Sequence, residues 1–393
     1  MKKILIVAHY LQTPSEKGNS RFTYLADMLT KVGFDVELVT SSFSHKFKRQ
    51  RRSEEVKGYK LTFIYEKGYK KNVSIKRVLS HNGFSRKVKK YIADINADLV
   101  YLSCPSDSLS KVVATTCKKK NIPYILDVQD LWPEAFKMVV KNKLLYSLLF
   151  FGMKRRMNFV YKNASYIFTV SKEYADKVKS ITKKDNVDYV YLGTDLTVFL
   201  ENAEKNKFVR MDDSVYLVYA GSLGNSYAIK EVIDAVRILR RKGYNINFKV
   251  LGEGVKKEEF ISYANGDTFV DFTGNLPYDK MCGYLSSCDI AISPINSLSA
   301  SSILNKVGDY FSASLPLINT QNCLEQRKML EENNAGINTE NDSEKIADTI
   351  EIYLLDKIRM KENGSNAYLL AKKYFDRKIT YVKIIDKIKE MTL

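Results

Sequence analysis

Apolar runs of strand length alternate along this chain with amphipathic stretches of helix length, and the alternation begins again near its middle. Runs at 4–8, 35–40, 61–65, 99–103, 124–128, 166–170 and 188–191 are separated by helix-like stretches such as 21–32, 84–95 and 109–119. A second series follows at 216–220, 247–251, 270–272, 290–293 and 316–319, with helices at 229–241, 278–286, 306–312 and 343–355. Strands that are apolar throughout are covered on both faces, and strand–helix–strand order makes them parallel. The predicted class is α/β, with two doubly wound, Rossmann-like domains. A length of 393 residues also exceeds the roughly 100–200 residues of one ordinary domain. The expected bounds are 1–200, 201–375 and a C-terminal helical segment, 376–393, that returns to the first domain; the charged stretch 201–213 is the expected linker. Parallel sheets bind ligands at the carboxyl ends of their strands, so two such domains facing each other would enclose a ligand in a cleft.

Charge divides the chain unevenly. Residues 1–200 carry 37 Lys/Arg against 18 Asp/Glu, and residues 201–393 carry 26 against 27. A cationic first half beside a neutral second half points to a large anionic partner for the first half alone, nucleic acid or an anionic membrane face. The five cysteines are scattered with no metal-ligand spacing, which fits reduced thiols and argues against a zinc site or a disulfide framework. Met1-Lys2-Lys3 runs straight into a short apolar strand, too short for a signal peptide or a spanning helix.

Glycine-bearing loops follow the first strands of both series. Gly18-Asn19 precedes a helix at Arg21; Gly221-Ser222 and Gly252-Glu253 follow strands of the second series. Such loops let a phosphate approach the backbone, and helix N-termini attract anions, although each is also a common turn. A GxGxxG dinucleotide fingerprint is absent from the sequence. More specific is the long polar loop that carries Ser301 and Ser302 and ends at Asn305-Lys306-Val307-Gly308-Asp309. A lysine at the start of a helix opposes the dipole, which suggests an anion between it and the amides. Asp309, one turn on, is placed to accept hydrogen bonds from ribose hydroxyls, or else to form a plain surface ion pair with Lys306.

These residues resemble the nucleotide-sugar signature of the family 4 retaining glycosyltransferases of GT-B fold, in the branch that assembles bacterial polysaccharides. Leu304-Asn305-Lys306-Val307-Gly308-Asp309-Tyr310 and Leu315-Pro316-Leu317-Ile318 carry the resemblance, with weaker motifs in the same order: the early glycine loop, Asp127-Val128-Gln129-Asp130-Leu131-Trp132-Pro133-Glu134, Leu192-Gly193-Thr194-Asp195, Tyr219-Ala220-Gly221-Ser222-Leu223-Gly224, Gly252-Glu253-Gly254 and Phe272-Thr273-Gly274. Ser301 and Asp309 stand where the family has two glutamates, and the Arg/Lys pair that follows the second glycine loop is not evident around Ser222 and Tyr227.

The resemblance implies that a nucleotide-sugar, with a UDP-sugar favoured, is bound as substrate by Gly18, Asn19, Gly221, Ser222, Gly252, Glu253, Ser301, Ser302, Asn305 and Asp309. Lys306 and amides of Gly18-Asn19 and Gly221-Ser222 would meet the leaving diphosphate, with no metal or other cofactor, since the chain has no Asp-x-Asp. Asp130 stands where relatives place a group facing the acceptor hydroxyl; the alternative is that Asp127 and Asp130 cap a helix or buttress the loop. His9 ends the first strand, while His45 and His81 fall in basic, exposed-looking stretches. The implied acceptor is a lipid-linked saccharide, on a polyprenyl diphosphate, at the cytoplasmic membrane face. The basic first domain would meet anionic lipid there, and 144–153 running into Lys154-Arg155-Arg156 would be either an interfacial helix or a core helix with a basic rim. A nucleotide-sugar epimerase, a phosphorylase and a nucleic-acid-binding protein are the competing readings; few histidines oppose the first two, and no nucleic-acid-binding signature supports the third.

Overall fold

The runs Lys3–Val7 (β1), Asp35–Ser41 (β2), Lys60–Ile64 (β3), Leu99–Cys104 (β4), Tyr124–Val128 (β5), Tyr166–Thr169 (β6) and Val187–Tyr189 (β7) form one parallel sheet in the order β3-β2-β1-β4-β5-β6-β7. A second parallel sheet contains Val215–Ala220 (β8), Ile246–Leu251 (β9), Val270–Gly274 (β10), Ile290–Ser293 (β11), Leu317–Asn319 (β12) and Gly336–Asn338 (β13), in the order β10-β9-β8-β11-β12-β13. Each sheet reverses direction of winding beside its first strand, and that switch point is where doubly wound sheets hold ligands. The computed structural model describes residues 1–16, 19–71, 74–134, 136, 140, 142–210, 212–296 and 302–393.

The chain divides into two compact units: Met1–Tyr191 with Tyr381–Leu393, and Leu192–Thr380. The boundary lies before residue 200 because 201–205 is no linker: those residues continue the helix Leu196–Lys205, whose N-terminus Asp195 caps through the Val198 amide. That helix packs on Tyr278–Ser286 within the second unit. At the other end, only Tyr381–Leu393 of the expected 376–393 segment is counted with the first unit.

In the first unit, helices Arg21–Lys31 (α1), Ile75–Asp94 (α2), Asp107–Lys120 (α3), Lys143–Asn163 (α4) and Lys172–Thr182 (α5) follow their strands, so their N-termini lie at the carboxyl edge of the sheet. α2, α3 and α4 pack side by side. α1 and the C-terminal helix Val382–Thr392 share a core with the sheet, through Leu25, Leu29, Ile4, Ile6, Tyr381, Ile384 and Ile388. A buried ion pair crosses it: Arg21 Nε lies 3.0 Å from Asp127 Oδ2, Tyr101 donates to the same oxygen at 2.7 Å, and the Arg21 guanidinium sits 5.1 Å from the Tyr381 ring. Asp127 therefore caps no helix; it is a core counter-ion.

α2 begins at Ile75, about two and a half turns before the expected start at 84. Ser74 caps it by accepting from the Arg77 amide, but its core-facing apolar residues are Phe84, Val88 and Ile92, and earlier it buries only Ser80 and His81. A reading of apolar periodicity cannot see turns that bury polar groups. A short antiparallel hairpin, Phe43–Ser44 with Arg49–Gln50, was likewise not anticipated.

Candidate active site

At the switch point of the second sheet, β8 is rigidified by Tyr310: the Ala220 amide donates to its hydroxyl at 2.7 Å, and that hydroxyl donates to the Ala220 carbonyl at 3.2 Å. Beyond Ala220 the chain runs beside the β9 end, with Gly221 N donating to Leu251 O and Leu223 N to Glu253 O. Gly252 N donates to Gly274 O. These glycines are required by close backbone approach: Gly221 and Gly252 have φ of 151° and 153°, and a Cβ on Gly252 would fall 1.8 Å from Gly221 O. The amide of Gly221, an expected phosphate donor, and that of Gly252 are thus already spent on the fold.

The space beside Gly221 holds the Lys306 ammonium instead. A Cβ on Gly221 would meet Lys306 Nζ at 2.8 Å. Nζ is shielded from solvent with no hydrogen-bond partner, and among the described residues no carboxylate pairs with it. It lies 4.0 Å from the Tyr219 ring centroid and 4.3 Å from that of Tyr227. Burial drives its pKa well below the usual lysine value. Lys306 stands in the first turn of Asn305–Ser312, a helix with no acidic residue in that turn and no side-chain cap at Leu304. A buried cation, an uncapped helix N-terminus and the faces of two tyrosines make a site that an anion would complete. Neither Tyr219, which lies within the glycine-loop motif, nor Tyr227 carries a signal of its own in the sequence; the missing Arg/Lys pair around Ser222 and Tyr227 is the available one.

Asp309 points elsewhere. Its Oδ1 accepts from Thr194 Oγ1 at 2.8 Å and from Tyr278 at 2.9 Å, and burial raises its pKa against those two hydrogen bonds and the charge of Arg377. Neither the surface ion pair with Lys306 nor a free ribose acceptor at Oδ1 is what the structure holds. Gly308 leaves Thr194 room, since a Cβ there would sit 3.2 Å from Thr194 Oγ1. Glu253 is engaged by Lys257 at 2.6 Å on an exposed surface. Ser302 is buried, with its carbonyl accepting from Gln321 Nε2 at 3.0 Å, and Asn305 is exposed at the helix start. Gly18 and Ser301 lie outside the described residues; Asn19 is half-buried just before α1.

At the corresponding edge of the first sheet, Asp130 lies in the loop after β5. Its Oδ2 accepts from Trp132 Nε1 at 3.2 Å, and burial raises its pKa despite that bond. That bond ties Asp130 to the Trp132-Pro133 loop.

The chain's three histidines, two of which looked exposed in sequence, converge here. His9, at the end of β1, is buried between the rings of Tyr10 (4.7 Å) and Phe84 (4.5 Å), and His81 of α2 meets it edge-on at 4.5 Å. His45 lies 5.0 Å from Tyr10, ring to ring. Beneath them the buried Glu66 carboxylate receives His9 Nε2 at 2.9 Å, Ser41 Oγ at 2.6 Å and Ser80 Oγ at 2.7 Å. Although burial pushes the Glu66 pKa up, the His9 and serine hydrogen bonds hold it low. Ligand atoms of His9, Glu66 and His81 lie within 4.8 Å of one another, so the expectation of no metal-ligand cluster does not hold for spacing alone.

On the same edge, the first turns of α2 and α4 present apolar side chains to solvent. Ile75 and Leu79 are 80% and 64% exposed, and Leu144 and Leu148 are 84% and 78% exposed. α4 buries only Met157, Val160 and Tyr161. The stretch from 144 is therefore not a core helix with a basic rim; its apolar face is the outer one.

The family model for glycosyltransferase family 4 matches residues 19–198, and that for glycosyl transferases group 1 matches residues 214–356. No curated protein matches the chain. Among solved structures, sucrose-phosphate synthase from Thermosynechococcus elongatus is 13% identical with a TM-score of 0.78, over 100% of this chain and 99% of that one. Anabaena HepE in complex with UDP-glucose is 14% identical with a TM-score of 0.70, covering 99% and 100%. WaaG, a glycosyltransferase involved in lipopolysaccharide biosynthesis, is 13% identical with a TM-score of 0.67, covering 96% and 99%. Two matched segments covering most of both parallel sheets, on a fold shared with these structures, place the chain in the family 4, group 1 glycosyltransferases of GT-B fold.

Proposed function

We propose that this glycosyltransferase moves a sugar, with retention, from a UDP-sugar bound in the second unit to a polyprenyl-diphosphate-linked saccharide. The acceptor is met at the cytoplasmic face of a membrane, in the assembly of a surface polysaccharide. The observation that carries the reading is the unpaired, buried Lys306 ammonium beside Gly221 and the uncapped helix at Asn305. As the bond between the anomeric carbon and the diphosphate oxygen breaks, charge grows on that oxygen, and a cation already desolvated there stabilises it without reorganisation. The acceptor oxygen bonds to the same face of the sugar, and its proton passes to the departing diphosphate. Charge on the leaving group is met by Lys306 and the helix amides, so the reading requires no metal. HepE, which holds UDP-glucose on the same fold, supports uracil as the base.

The membrane part of the proposal rests on the first unit. Exposed Ile75, Val78 and Leu79 on α2 and Leu144, Leu148, Leu149 and Phe151 on α4 are flanked by Lys70, Lys71, Lys76, Lys143, Lys154 and Arg155. An apolar face edged by cations suits an anionic lipid surface. No helix among the described residues is long and apolar enough to cross a membrane.

Thermal-shift measurement against UDP-, GDP- and ADP-hexoses, followed by product analysis with and without isolated membranes, tests the reading. Stabilisation by the UDP-sugar and transfer that depends on membranes are expected. Membrane-independent conversion of the UDP-sugar to an epimer, or undiminished UDP binding by Lys306→Ala, would overturn it.

A further inference from the structure

Rings hold Lys306 where a carboxylate commonly holds a buried cation. Its Nζ lies 4.0 Å from the Tyr219 ring centroid and 4.3 Å from that of Tyr227, and the two rings meet edge to face, 5.5 Å apart at 61°. Gly221 closes another side, since a Cβ there would lie 2.8 Å from Nζ and 3.0 Å from the Tyr219 hydroxyl. Both rings are fixed by the fold. Tyr219 is buried in β8 and donates to Ser222 O at 2.6 Å. Tyr227 sits in a stretch tied to the residues after β11, with Ala228 N donating to Pro294 O and Asn296 N to Ser226 O, each at 3.0 Å.

Among the described residues no carboxylate pairs with Nζ, and the titratable groups that face it are the two phenols. On its own helix, Asp309 is turned to Thr194 and Tyr278, and the Tyr310 hydroxyl to Ala220. Burial raises the pKa of both phenols, so neither ionises into a counter-ion. A ring face attracts an ammonium through its quadrupole yet carries no net charge to cancel it. A carboxylate in the same place would compete with an incoming phosphate.

We infer that Tyr227, with Tyr219, is a positioning residue whose ring face holds the Lys306 ammonium and leaves its charge whole for the leaving diphosphate. It stands in the stretch around Ser222 where the Arg/Lys pair is missing. The loop after β8 thus serves the diphosphate by aiming a cation and not by supplying one. This inference rests on the second unit binding a UDP-sugar and adds which residues set the place and charge of Lys306.

Calorimetric titration of the full chain with UDP tests it, in the wild-type and in a Lys306→Met background. Tyr227→Leu removes the ring and should weaken UDP by about tenfold or more. Tyr227→Phe returns the face and should recover most of that loss. A phenylalanine with a pentafluorinated ring at the same position keeps the shape but reverses the quadrupole, and should not recover it. In the Lys306→Met background these variants should bind UDP alike, within about twofold, because the contact they alter is gone. UDP affinity should fall as pH rises through the Lys306 pKa of the free chain. Loss of the face lowers that pKa, so the fall should begin at lower pH in the fluorinated variant.

Recovery by the fluorinated ring as full as by Phe, or losses of the same size in the Lys306→Met background, would overturn the inference. Ligand-free melting curves separate it from the donor reading: below the Lys306 pKa the fluorinated variant should melt lower than Tyr227→Phe, and with Lys306→Met it should not. If UDP binds none of these proteins, the donor reading fails, and those curves still decide whether the rings hold the ammonium. If Tyr227→Leu does not fold, the comparison of Phe with its fluorinated form decides.

Discussion

Two sheets with the same strand order end their first strands in opposite ways. At β8 the Lys306 ammonium is buried between Tyr219 and Tyr227 with no counter-ion among the described residues. At β1 a buried carboxylate, Glu66, is satisfied by three donors, and the cations stand in a half-buried layer above it. The fold supplies the place, and the side chains decide its state. A buried charge left unpaired costs stability that only a ligand restores, whereas a buried charge that is fully hydrogen-bonded contributes to the fold itself. The second unit therefore gives up stability at its switch point for binding, and the first is self-sufficient underneath and open only at its surface.

The contrast breaks most sharply at Lys306. Lys306→Ala should reduce kcat/KM by roughly 10²–10³ or more, the cost of removing one preorganised charge from a developing oxyanion. Lys306→Met should do the same while raising the ligand-free melting temperature, because it removes an unpaired buried charge. The sign with pH follows: the unfolded lysine holds its proton up to its ordinary pKa and the folded one releases it earlier. Unfolding therefore takes up a proton between the two values, and the ligand-free wild type should gain stability as pH rises toward 10.5 while Lys306→Met does not. Parallel melting curves with and without UDP measure all three.

Glu66→Gln should show the other behaviour, destabilising the first unit by roughly 3–5 kcal/mol, as removal of one partner from a buried pair does, and leaving UDP affinity intact. Urea unfolding checks it; a loss near zero would mean that the carboxylate is not the keystone. Gly252→Ala comes next. Its Cβ would fall 1.8 Å from Gly221 O, and the forced backbone shift should cost about 1–3 kcal/mol and displace Gly221 from Lys306.

Acid should separate the two ends more gently. The folded His45 ring refuses a proton until about pH 4, chiefly through burial and then through Lys48 and Arg77, and His81 is depressed by burial and by His9. The unfolded rings accept protons below 6.5. Stability of the first unit should therefore be fully present above pH 6.5 and fall between 6.5 and 4, and His45→Gln should flatten that slope. The smallest effect is expected at Asp130. If it braces the loop through Trp132, Asp130→Asn should lower kcat by less than about tenfold, below the range of a lost general base; a larger fall with loss of a pH limb would mark it as a base.

Much of the fold was legible in the residues. Tyr124–Val128, Ile290–Ser293, Ile229–Arg241, Tyr278–Ser286 and Ser343–Leu355 begin and end where apolar patterning puts them, because their buried faces are continuous. Patterning failed where a segment buries polar groups, as in the first turns of α2, and for 144–153 it left an interfacial and a core helix both open, between which the exposure of Leu144 and Leu148 decides. Lys306 was marked by its place against a helix dipole. The partners of Asp309 were not, since Thr194 is distant in sequence and Tyr278 carries no special signal.

What the sequence alone determined is the period of its apolar runs, their restart in the second half and the charge confined to the first. Burial on both faces of a strand leaves no other pattern, and charge adds up wherever its residues lie. Only the tertiary structure decided which polar groups meet: that Gly221 and Gly252 each spend their amide on the end of the neighbouring strand, that Lys306 has no counter-ion among the described residues, and that three histidines far apart in the chain gather over Glu66. Those outcomes depend on distances of a few ångströms between residues far apart in sequence, and a buried polar group is stable or strained according to which partner lies within that reach.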